Sequence, residues 1–202
     1  MFVKYSASRC LDSSYRMISP RNEELLTTAI GRPMPRIASS VSWTPGIGRV
    51  DHEAEVGVVI GRRATKVSER DAHQYVFGLI CFNDVSARGL QQKGYQYTHA
   101  KGFDTFAPLG PCIAAGVDHR GSAGIGIEGW VNGQRRQAST TAQLVFSIDY
   151  LIAYVTNVMT LLPGDVVATG TPSGVGPLQP GDEVTIKVAG VGELTNPVGG
   201  TS

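Results

Sequence analysis

Closely spaced turn signals are the feature that most constrains how this chain can fold. The Asn132-Gly133 pair favours a two-residue hairpin, because both residues tolerate the positive φ that a type I′ turn requires. Pro-Gly-Asp sequences at 163–165 and 180–182 predict two more tight turns, each followed by a run rich in β-branched residues. In the second of these runs, 184–188, apolar and polar residues alternate as in a half-buried strand. The C-terminal half is therefore predicted to be a series of short strands.

Two segments carry helix signals instead. Ser68, followed three residues later by Asp71, resembles a capping box and predicts a short helix that ends near Gly78. A second helix is predicted to begin near Ser147 and to stop before Pro163, which cannot continue it. Its apolar residues recur at helical spacing and are expected in the core: Leu151, Ile152, Val155 and Met159. Together these patterns predict a mainly β chain with a few helices.

The first fifty residues show a different pattern from the rest of the chain. Residues 23–30 can form a short helix, whereas residues 31–48 are rich in Pro, Gly and Ser and show no period. Such a stretch is either a mobile lid or a poorly packed connection. A chain of 202 residues suits one sizeable core better than two. We therefore predict a single main domain, 49–202, preceded by a divergent N-terminal or lid region, 1–48.

Charge and cysteine content exclude several classes of function. The formal net charge is +1, so no overall field attracts nucleic acid or an anionic membrane, and neither is expected as a partner. Cys10, Cys81 and Cys112 cannot all pair and form no CxxC motif, which fits a reduced compartment. No segment approaches the roughly 18 consecutive apolar residues of a membrane span, and the N-terminus shows no apolar signal region. A cytoplasmic location is therefore expected.

Two carboxylates precede an apolar, strand-like run. Glu53 and Glu55 lie two residues apart, just before residues 56–60, so in an extended strand both point to the same face, about 7 Å apart. Like charges on an apolar face repel each other and lose hydration, and a hard divalent cation relieves both effects. The alternative is a solvent-facing sheet edge, which needs no metal.

A third carboxylate follows the next apolar run. Residues 78–82 are predicted to form a strand that presents Asp84 at its end, where catalytic groups are often found. Asp84 can instead cap the turn that follows it. Further along, Arg88 and Gln91 can reach a carboxylate or carbonyl group of a substrate, and Arg offers a planar, bidentate fork for a carboxylate.

Two more segments offer groups for an anionic substrate. Lys101 lies in a mostly uncharged stretch, where its stem can be buried and its ammonium can anchor a carboxylate or stabilise an enolate. An ordinary surface lysine is the alternative. The Gly-rich loop 170–176 follows a predicted strand, and its backbone amides and the hydroxyl of Thr171 can receive a carboxylate. The loop lacks the Lys and the spacing of a phosphate-binding loop, so nucleotide binding is not expected.

Four motifs in a fixed order resemble the fumarylacetoacetate hydrolase family. They are D-H-E-A-E-V-G-V-V-I-G at 51–61, F-N-D-V-S-A-R at 82–88, A-K-G-F-D-T-F-A-P-L-G-P at 100–111 and L-P-G-D-V-V-A-T-G-T-P-S-G-V-G at 162–176. The resemblance covers roughly residues 50–198. It implies a rolled, barrel-like β-sheet with a few helices (an α+β fold), a homodimer, and a bound Mg²⁺ or Mn²⁺, with Ca²⁺ also compatible.

The resemblance also implies a site, residue by residue. The metal ligands fall on Glu53, Glu55 and Asp84. The substrate-binding residues fall on Arg88, Gln91, Lys101 and Thr171. Catalytic roles are implied for Lys101 and for a glutamate that matches Glu23 or Glu24, of which Glu24 is our candidate.

The chain departs from the family pattern at three places. The Asp that follows Arg in the family is Gly89 here, and the family's F-x-K-P segment is not recognisable. The family's N-Y-x-x-H motif corresponds to Lys-Tyr-Ser-Ala-Ser at 4–8, so Ser8 stands at the position of the lid histidine. In related hydrolases this histidine, paired with the glutamate, activates the attacking water.

The resemblance leads to one functional hypothesis with two alternatives. The first is a divalent-metal-dependent hydrolase that cleaves a carbon–carbon bond in a small β-diketo acid of the fumarylpyruvate or acylpyruvate type. The second is a decarboxylase or isomerase of 2-keto acids, of the oxaloacetate or 2-hydroxyhepta-2,4-dienedioate type. The third is a catalytically impaired relative that only binds a keto acid and a metal.

Overall fold

The computed structural model describes most of the chain after residue 40. The described residues are 4–6, 40–43, 46–92 and 97–200. The predicted helix at 23–30, the candidate Glu24, and the positions of Ser8 and Cys10 lie outside them.

The described residues are mainly in strands, as predicted. The strands are β1 (Lys4–Ser6), β2 (Val41–Trp43), β3 (Val50–His52), β4 (Ala54–Ile60), β5 (Val76–Asn83), β6 (Ser86–Ala87), β7 (Leu109–Ala115), β8 (Gly126–Val131), β9 (Gln134–Thr140), β10 (Asp165–Ala168), β11 (Gly176–Pro177), β12 (Glu183–Val188) and β13 (Gly192–Gly200). The helices are α1 (Arg88–Gln92), α2 (Tyr97–Lys101) and α3 (Ile148–Val158), with 3₁₀ turns at Glu69–Tyr75 and Thr141–Gln143.

The strands form two five-stranded sheets and one small sheet. The first sheet has the order β1-β10-β4-β5-β7, the second β2-β13-β12-β8-β9, and the small one β11-β3-β6. Every strand pair in these sheets is antiparallel except β13 with β2. The two large sheets face each other across one core, which gives the rolled β architecture that the family resemblance implies.

The predicted turns are confirmed. β8 and β9 form the expected hairpin, with positive φ at Asn132 (51°) and Gly133 (73°). Gly164 and Gly181, in the two Pro-Gly-Asp turns, have φ of 86° and 95°. The run predicted to alternate is β12, whose three apolar side chains are buried. Local turn chemistry therefore defines the ends of these strands.

Both predicted helices exist, with different ends. Ser68 caps the first by accepting from the Asp71 amide, but the segment is a 3₁₀ helix that ends at Tyr75, before the predicted Gly78. It stops there because the following residues pair with β4 as β5. α3 is capped by Ser147, as expected. Its predicted core residues are buried except Met159, which is 43% exposed because it follows the last helical residue.

Strand β4 is buried along its whole length. On one face Val56 and Val58 belong to the core between the two large sheets. On the other face Val59 packs in a smaller cluster with Ile80 and Phe82. A strand covered on both faces is nearly all apolar, and within β4 the only charged residue is Glu55.

Two cysteines lie in the described residues, and both are free. Cys81 is fully buried, and burial raises the pKa of its thiol to about 12. Cys112 is only partly buried. Among the described helices, none combines the length and the apolar character needed to cross a bilayer.

Candidate metal centre

A break between two strands positions the first carboxylate. Glu53 lies between β3 and β4, so its backbone cannot continue a regular ladder. Its N–H donates to Oδ1 of Asn83 over 3.0 Å, and its carbonyl oxygen accepts from the Asp84 amide over 2.9 Å. Since β4 and β5 are antiparallel and pair Glu55 with Phe82, the residue just past the end of β5 comes to lie beside Glu53.

The three predicted metal ligands are brought together. One carboxylate oxygen from each of Glu53, Glu55 and Asp84 lies within 4.8 Å of the other two. The three residues are 7%, 3% and 4% exposed, so they do not decorate a solvent-facing edge. Three buried oxygen donors at this spacing fit a hard divalent cation such as Mg²⁺ or Mn²⁺.

Burial makes the carboxylate of Glu55 costly to ionise. Desolvation, followed by the negative charge of Asp84, raises the pKa of Glu55 to about 8. The Gly170 amide opposes this shift by donating to Oε2 of Glu55 over 2.8 Å. Negative charge is thus concentrated in a place with little water, which is the electrostatic setting that a cation relieves.

Lys101 lies within the carboxylate cluster. It ends α2, and its Nζ donates to Oε2 of Glu53 (2.9 Å), Oδ2 of Asp84 (2.5 Å) and Oγ of Ser86 (2.8 Å). Burial alone would lower the pKa of Lys101, but the charges of Asp84 and Glu53 raise it above its usual value. The side chain is therefore buried up to its ammonium, whereas the sequence predicted only a buried stem, and it offsets part of the cluster's negative charge.

Arg88 contacts the carboxylate oxygen of Glu53 that Lys101 does not. Its Nη2 donates to Oε1 of Glu53 (2.5 Å), and its Nη1 donates to Oε1 of Gln91 (2.8 Å), so the two predicted substrate-binding residues of α1 are in contact. Its Nε donates to Oδ2 of Asp51 (2.9 Å). Asp51 is thus a second carboxylate partner of Arg88.

Asp51 is not among the site residues that the sequence predicted. It is 1% exposed; burial alone would raise its pKa, but hydrogen bonds from Arg49 and Arg88 lower it. A signal was present, because Asp51, Glu53 and Glu55 recur every second residue.

The Gly-rich loop is tied to the metal-ligand strand. The hydroxyl of Thr171 donates to the carbonyl oxygen of Ala54 over 2.9 Å and accepts from Nε2 of Gln137 over 2.8 Å. Thr171 therefore lies beside β4, one residue after the amide that binds Glu55. Its role in holding a substrate carboxylate stays a prediction, as do the roles of Arg88, Gln91 and Lys101.

Two buried amide side chains were missed by the sequence analysis. The side-chain oxygen of Asn83 accepts a hydrogen bond from the backbone N–H of Glu53, and that of Gln137 accepts one from the backbone N–H of Ala54. Glu53 directly precedes β4, and Ala54 is the first residue of that strand. Gln137 lies in a strand whose sequence is polar throughout, Gln134–Thr140, so no periodicity marks it as buried. Asn83 is uncharged and directly precedes Asp84, so its sequence position does not mark it as a separate site residue.

Fold and site together define a class of protein: a rolled β-sheet enzyme scaffold with a buried carboxylate cluster. Residues 22–199 match the sequence model described as fumarylacetoacetate (FAA) hydrolase C-terminal. The chain belongs to the fumarylacetoacetate hydrolase family.

Three relatives illustrate the family's range of activities. A 5-carboxymethyl-2-hydroxymuconate delta-isomerase from Mycobacterium smegmatis is 44% identical, with a TM-score of 0.76 over 81% of this chain and 65% of its own. A 4-hydroxyphenylacetate degradation bifunctional isomerase/decarboxylase from Salmonella dublin is 43% identical over 73% of this chain and 34% of its own length. A maleylpyruvate hydrolase from Sphingobium sp. SYK-6 is 36% identical, with a TM-score of 0.72 over 81% of this chain and 59% of its own.

The chain spans only part of its relatives. It covers 58% and 61% of the length of two further relatives, both archaeal. The family contains isomerases, decarboxylases and hydrolases, and its members generally use divalent metals.

Proposed function

We propose that this chain is a divalent-metal-dependent enzyme that promotes the enolisation of a small 2-keto acid. The observation that carries the proposal is the convergence of Glu53, Glu55 and Asp84, whose oxygens lie within 4.8 Å of one another, beside the ammonium of Lys101. A bound Mg²⁺ or Mn²⁺ supplies Lewis-acid chemistry: it polarises a carbonyl group and offsets the negative charge that develops on its oxygen.

The chain's own cations select an acidic substrate. Lys101 and Arg88 both contact Glu53, so two cationic groups lie at the carboxylate cluster, where each can bind a carboxylate of the substrate. We assign Lys101, together with the backbone amide of Thr171, to the substrate carboxylate next to the keto group; the Thr171 hydroxyl already donates its hydrogen to Ala54. Arg88 and Gln91, already hydrogen-bonded to each other, hold the distal end of the substrate, where a planar guanidinium suits a second carboxylate.

Isomerisation is the net reaction that we favour. It requires a base that takes a proton from the carbon next to the keto group and an acid that returns one at another position, but no water has to be activated. Two observations support it. A relative named as an isomerase is 44% identical and one named as a bifunctional isomerase/decarboxylase is 43% identical, and Ser8 stands where the hydrolase lid motif has histidine. Decarboxylation of a 2-keto acid uses the same charge stabilisation and stays an alternative.

Carbon–carbon bond hydrolysis, our first hypothesis from the sequence, is the second candidate. The relative named maleylpyruvate hydrolase, at 36% identity, supports it. Hydrolysis needs a general base for water, and Glu24 is the residue that we assign to that role. A third possibility is a protein that binds a metal and a keto acid without turnover.

The test is an activity assay that separates these outcomes. The protein is incubated with oxaloacetate or an acylpyruvate, with Mg²⁺ or Mn²⁺ and, in parallel, with excess EDTA. Isomerisation changes the enol absorbance without splitting the substrate, decarboxylation releases CO₂, and hydrolysis splits the acylpyruvate into two acids. We expect metal-dependent loss or gain of enol absorbance, reduced at least a hundredfold in Glu55→Gln, since removing one ligand charge weakens a metal site strongly.

The matched control is Glu193→Gln, a surface glutamate whose side chain is 57% exposed and pairs with Lys187. It should keep the wild-type rate. Equal rates with metal and with EDTA would contradict the proposal. Binding of oxalate and metal without turnover would favour the binding-only alternative.

A further inference from the structure

Gln137 links three separate parts of the candidate site. It lies on β9, in the second large sheet, and is 1% exposed. Its Oε1 accepts from the amide of Ala54 and faces Nδ1 of His52, each at 3.0 Å. Its Nε2 donates to Oγ1 of Thr171 and to the carbonyl oxygen of Pro172, each at 2.8 Å. All four hydrogen-bonding positions of this amide are therefore used.

The orientation of the Gln137 amide follows from its backbone partners. The N–H of Ala54 can only donate and the carbonyl of Pro172 can only accept, so oxygen and nitrogen cannot be exchanged without losing both bonds. It follows that Nδ1 of His52 carries a hydrogen and donates to Gln137. A swapped or shortened side chain would leave buried polar groups unpaired.

Two glycines pack closely around Gln137 and its strand, so the Gln137 side chain has little space in which to move. Gly129, the cross-strand partner of Gln137 on β8, has no side chain, and a Cβ there would lie 2.8 Å from Oε1 of Gln137. The Gly-rich loop packs against the same strand, because a Cβ on Gly174 would lie 2.1 Å from the carbonyl oxygen of Arg136. Gln137 is thus held in place by β8 on one side and by the loop on the other.

We infer that Gln137 is a positioning residue that sets the spacing between the metal-ligand strand and the substrate-binding loop. Ala54 lies between two metal ligands, and Thr171 is the residue that we assign to the substrate carboxylate. One rigid amide fixes both, so the cation and the carboxylate contacts lie at a defined separation. The inference rests on the proposed function, since it assigns Thr171 to the substrate.

The test compares Gln137→Met with Gln134→Met. Both change a glutamine of β9, but Gln134 is exposed. Binding of Mn²⁺, and then of oxalate to the Mn²⁺-loaded protein, is measured by calorimetry. We expect Gln137→Met to weaken oxalate binding about tenfold, the effect of about 1.4 kcal/mol, while Mn²⁺ affinity falls less. In this variant β4 keeps its pairing with β5, and the backbone N–H of Glu53 still donates to Asn83. Gln134→Met should match wild type.

A double-mutant cycle with Thr171→Val separates positioning from a general packing effect. If Gln137 acts through Thr171, then Gln137→Met should change oxalate affinity by less than about threefold in the Thr171→Val background. If Gln137→Met does not fold, Gln137→Glu replaces it in the test. Glutamate keeps the size of the side chain and the acceptor for the Ala54 amide but loses both donors, so Gln137→Glu is expected to weaken oxalate binding similarly.

The outcomes distinguish this inference from the proposed function. A wild-type protein that binds neither Mn²⁺ nor oxalate contradicts the proposed function itself. If wild type binds both, equal oxalate affinities of the Gln137 and Gln134 variants overturn the inference alone. Equal losses in the wild-type and Thr171→Val backgrounds also overturn it, because Gln137 would then contribute only to core stability.

Discussion

Among the single residues of the site, Lys101 places a positive charge directly between two of the carboxylates. Its ammonium contacts Glu53 at 2.9 Å and Asp84 at 2.5 Å, two of the three carboxylates that would hold a cation. A divalent cation therefore has to compete with a charge already present, and once it binds, the ammonium is available for an anionic substrate. Lysine is suited to this role because its single charge sits on a flexible stem.

Replacing Lys101 should separate metal binding from catalysis. We expect Lys101→Met to bind Mn²⁺ more tightly, by about tenfold, because the repulsion between ammonium and cation in a partly desolvated site is removed. Turnover should be lost, because the substrate carboxylate loses its partner. Calorimetric titration with Mn²⁺, beside the activity assay, measures both effects.

Lys187→Met is the matched control, since Lys187 pairs with a single surface glutamate, Glu193. It should alter neither quantity. Weaker Mn²⁺ binding in Lys101→Met would show that Lys101 supports the metal site and does not compete with the cation.

The site residues that the sequence revealed share one property. Glu53, Glu55 and Asp84 stand out as charges next to apolar runs, so burial and chemistry could both be inferred from their surroundings. Gln137 and Asp51 could not be found in this way. The first lies in a polar strand, and the importance of the second depends on Arg88 being folded against it.

At the scale of elements, the loop between β10 and β11 joins the two large sheets at the site. Its N-terminal end binds β4 through Gly170 and Thr171. Its C-terminal end rests on β9 at Gly174, which has φ of 99° and lies against Arg136. The shape of the loop thus depends on a glycine at a position where a side chain meets both backbone strain and a steric clash.

The substitution Gly174→Ala tests this packing. Gly181→Ala is the matched control, because Gly181 has a similar φ of 95° but a Cβ added there would have no other atom within 4 Å. Backbone strain alone should cost about 1–3 kcal/mol in both variants. Gly174→Ala should lose about 2 kcal/mol more, since the loop or β9 must shift. Urea denaturation measures the free energies of unfolding, and equal losses would contradict the close packing.

Local elements were more predictable than their arrangement. The Asn132-Gly133 hairpin and the Ser147 cap of α3 depend on a few adjacent residues, so their sequence signals were sufficient. The pairing of β10 with β4 joins segments about a hundred residues apart, and no local pattern specifies such a partner. The early end of the 3₁₀ helix at Tyr75 has the same cause, because sheet pairing overrides the local preference.

At the scale of the whole molecule, the sheet order explains why the site exists. β10, β4 and β5 are neighbours in one sheet, so the Gly-rich loop after β10, the carboxylates at the start of β4 and Asp84 after β5 meet at one end of it. The chain belongs to a family whose enzymes generally use divalent metals, which fits a carboxylate cluster at this end of the sheet. The homodimer, the cytoplasmic location and the division at residue 48 stay predictions.

The central claim is that the carboxylates of Glu53 and Glu55, at the start of β4, and of Asp84, just past the end of β5, form one metal site. The most direct measurement is a Mn²⁺ titration in which free Mn²⁺ is followed by its paramagnetic resonance signal. We expect one site per chain in the wild-type protein and at least a hundredfold weaker binding in Asp84→Asn, since a buried carboxylate ligand is lost. The same Mn²⁺ affinity in wild type and Asp84→Asn would contradict the claim.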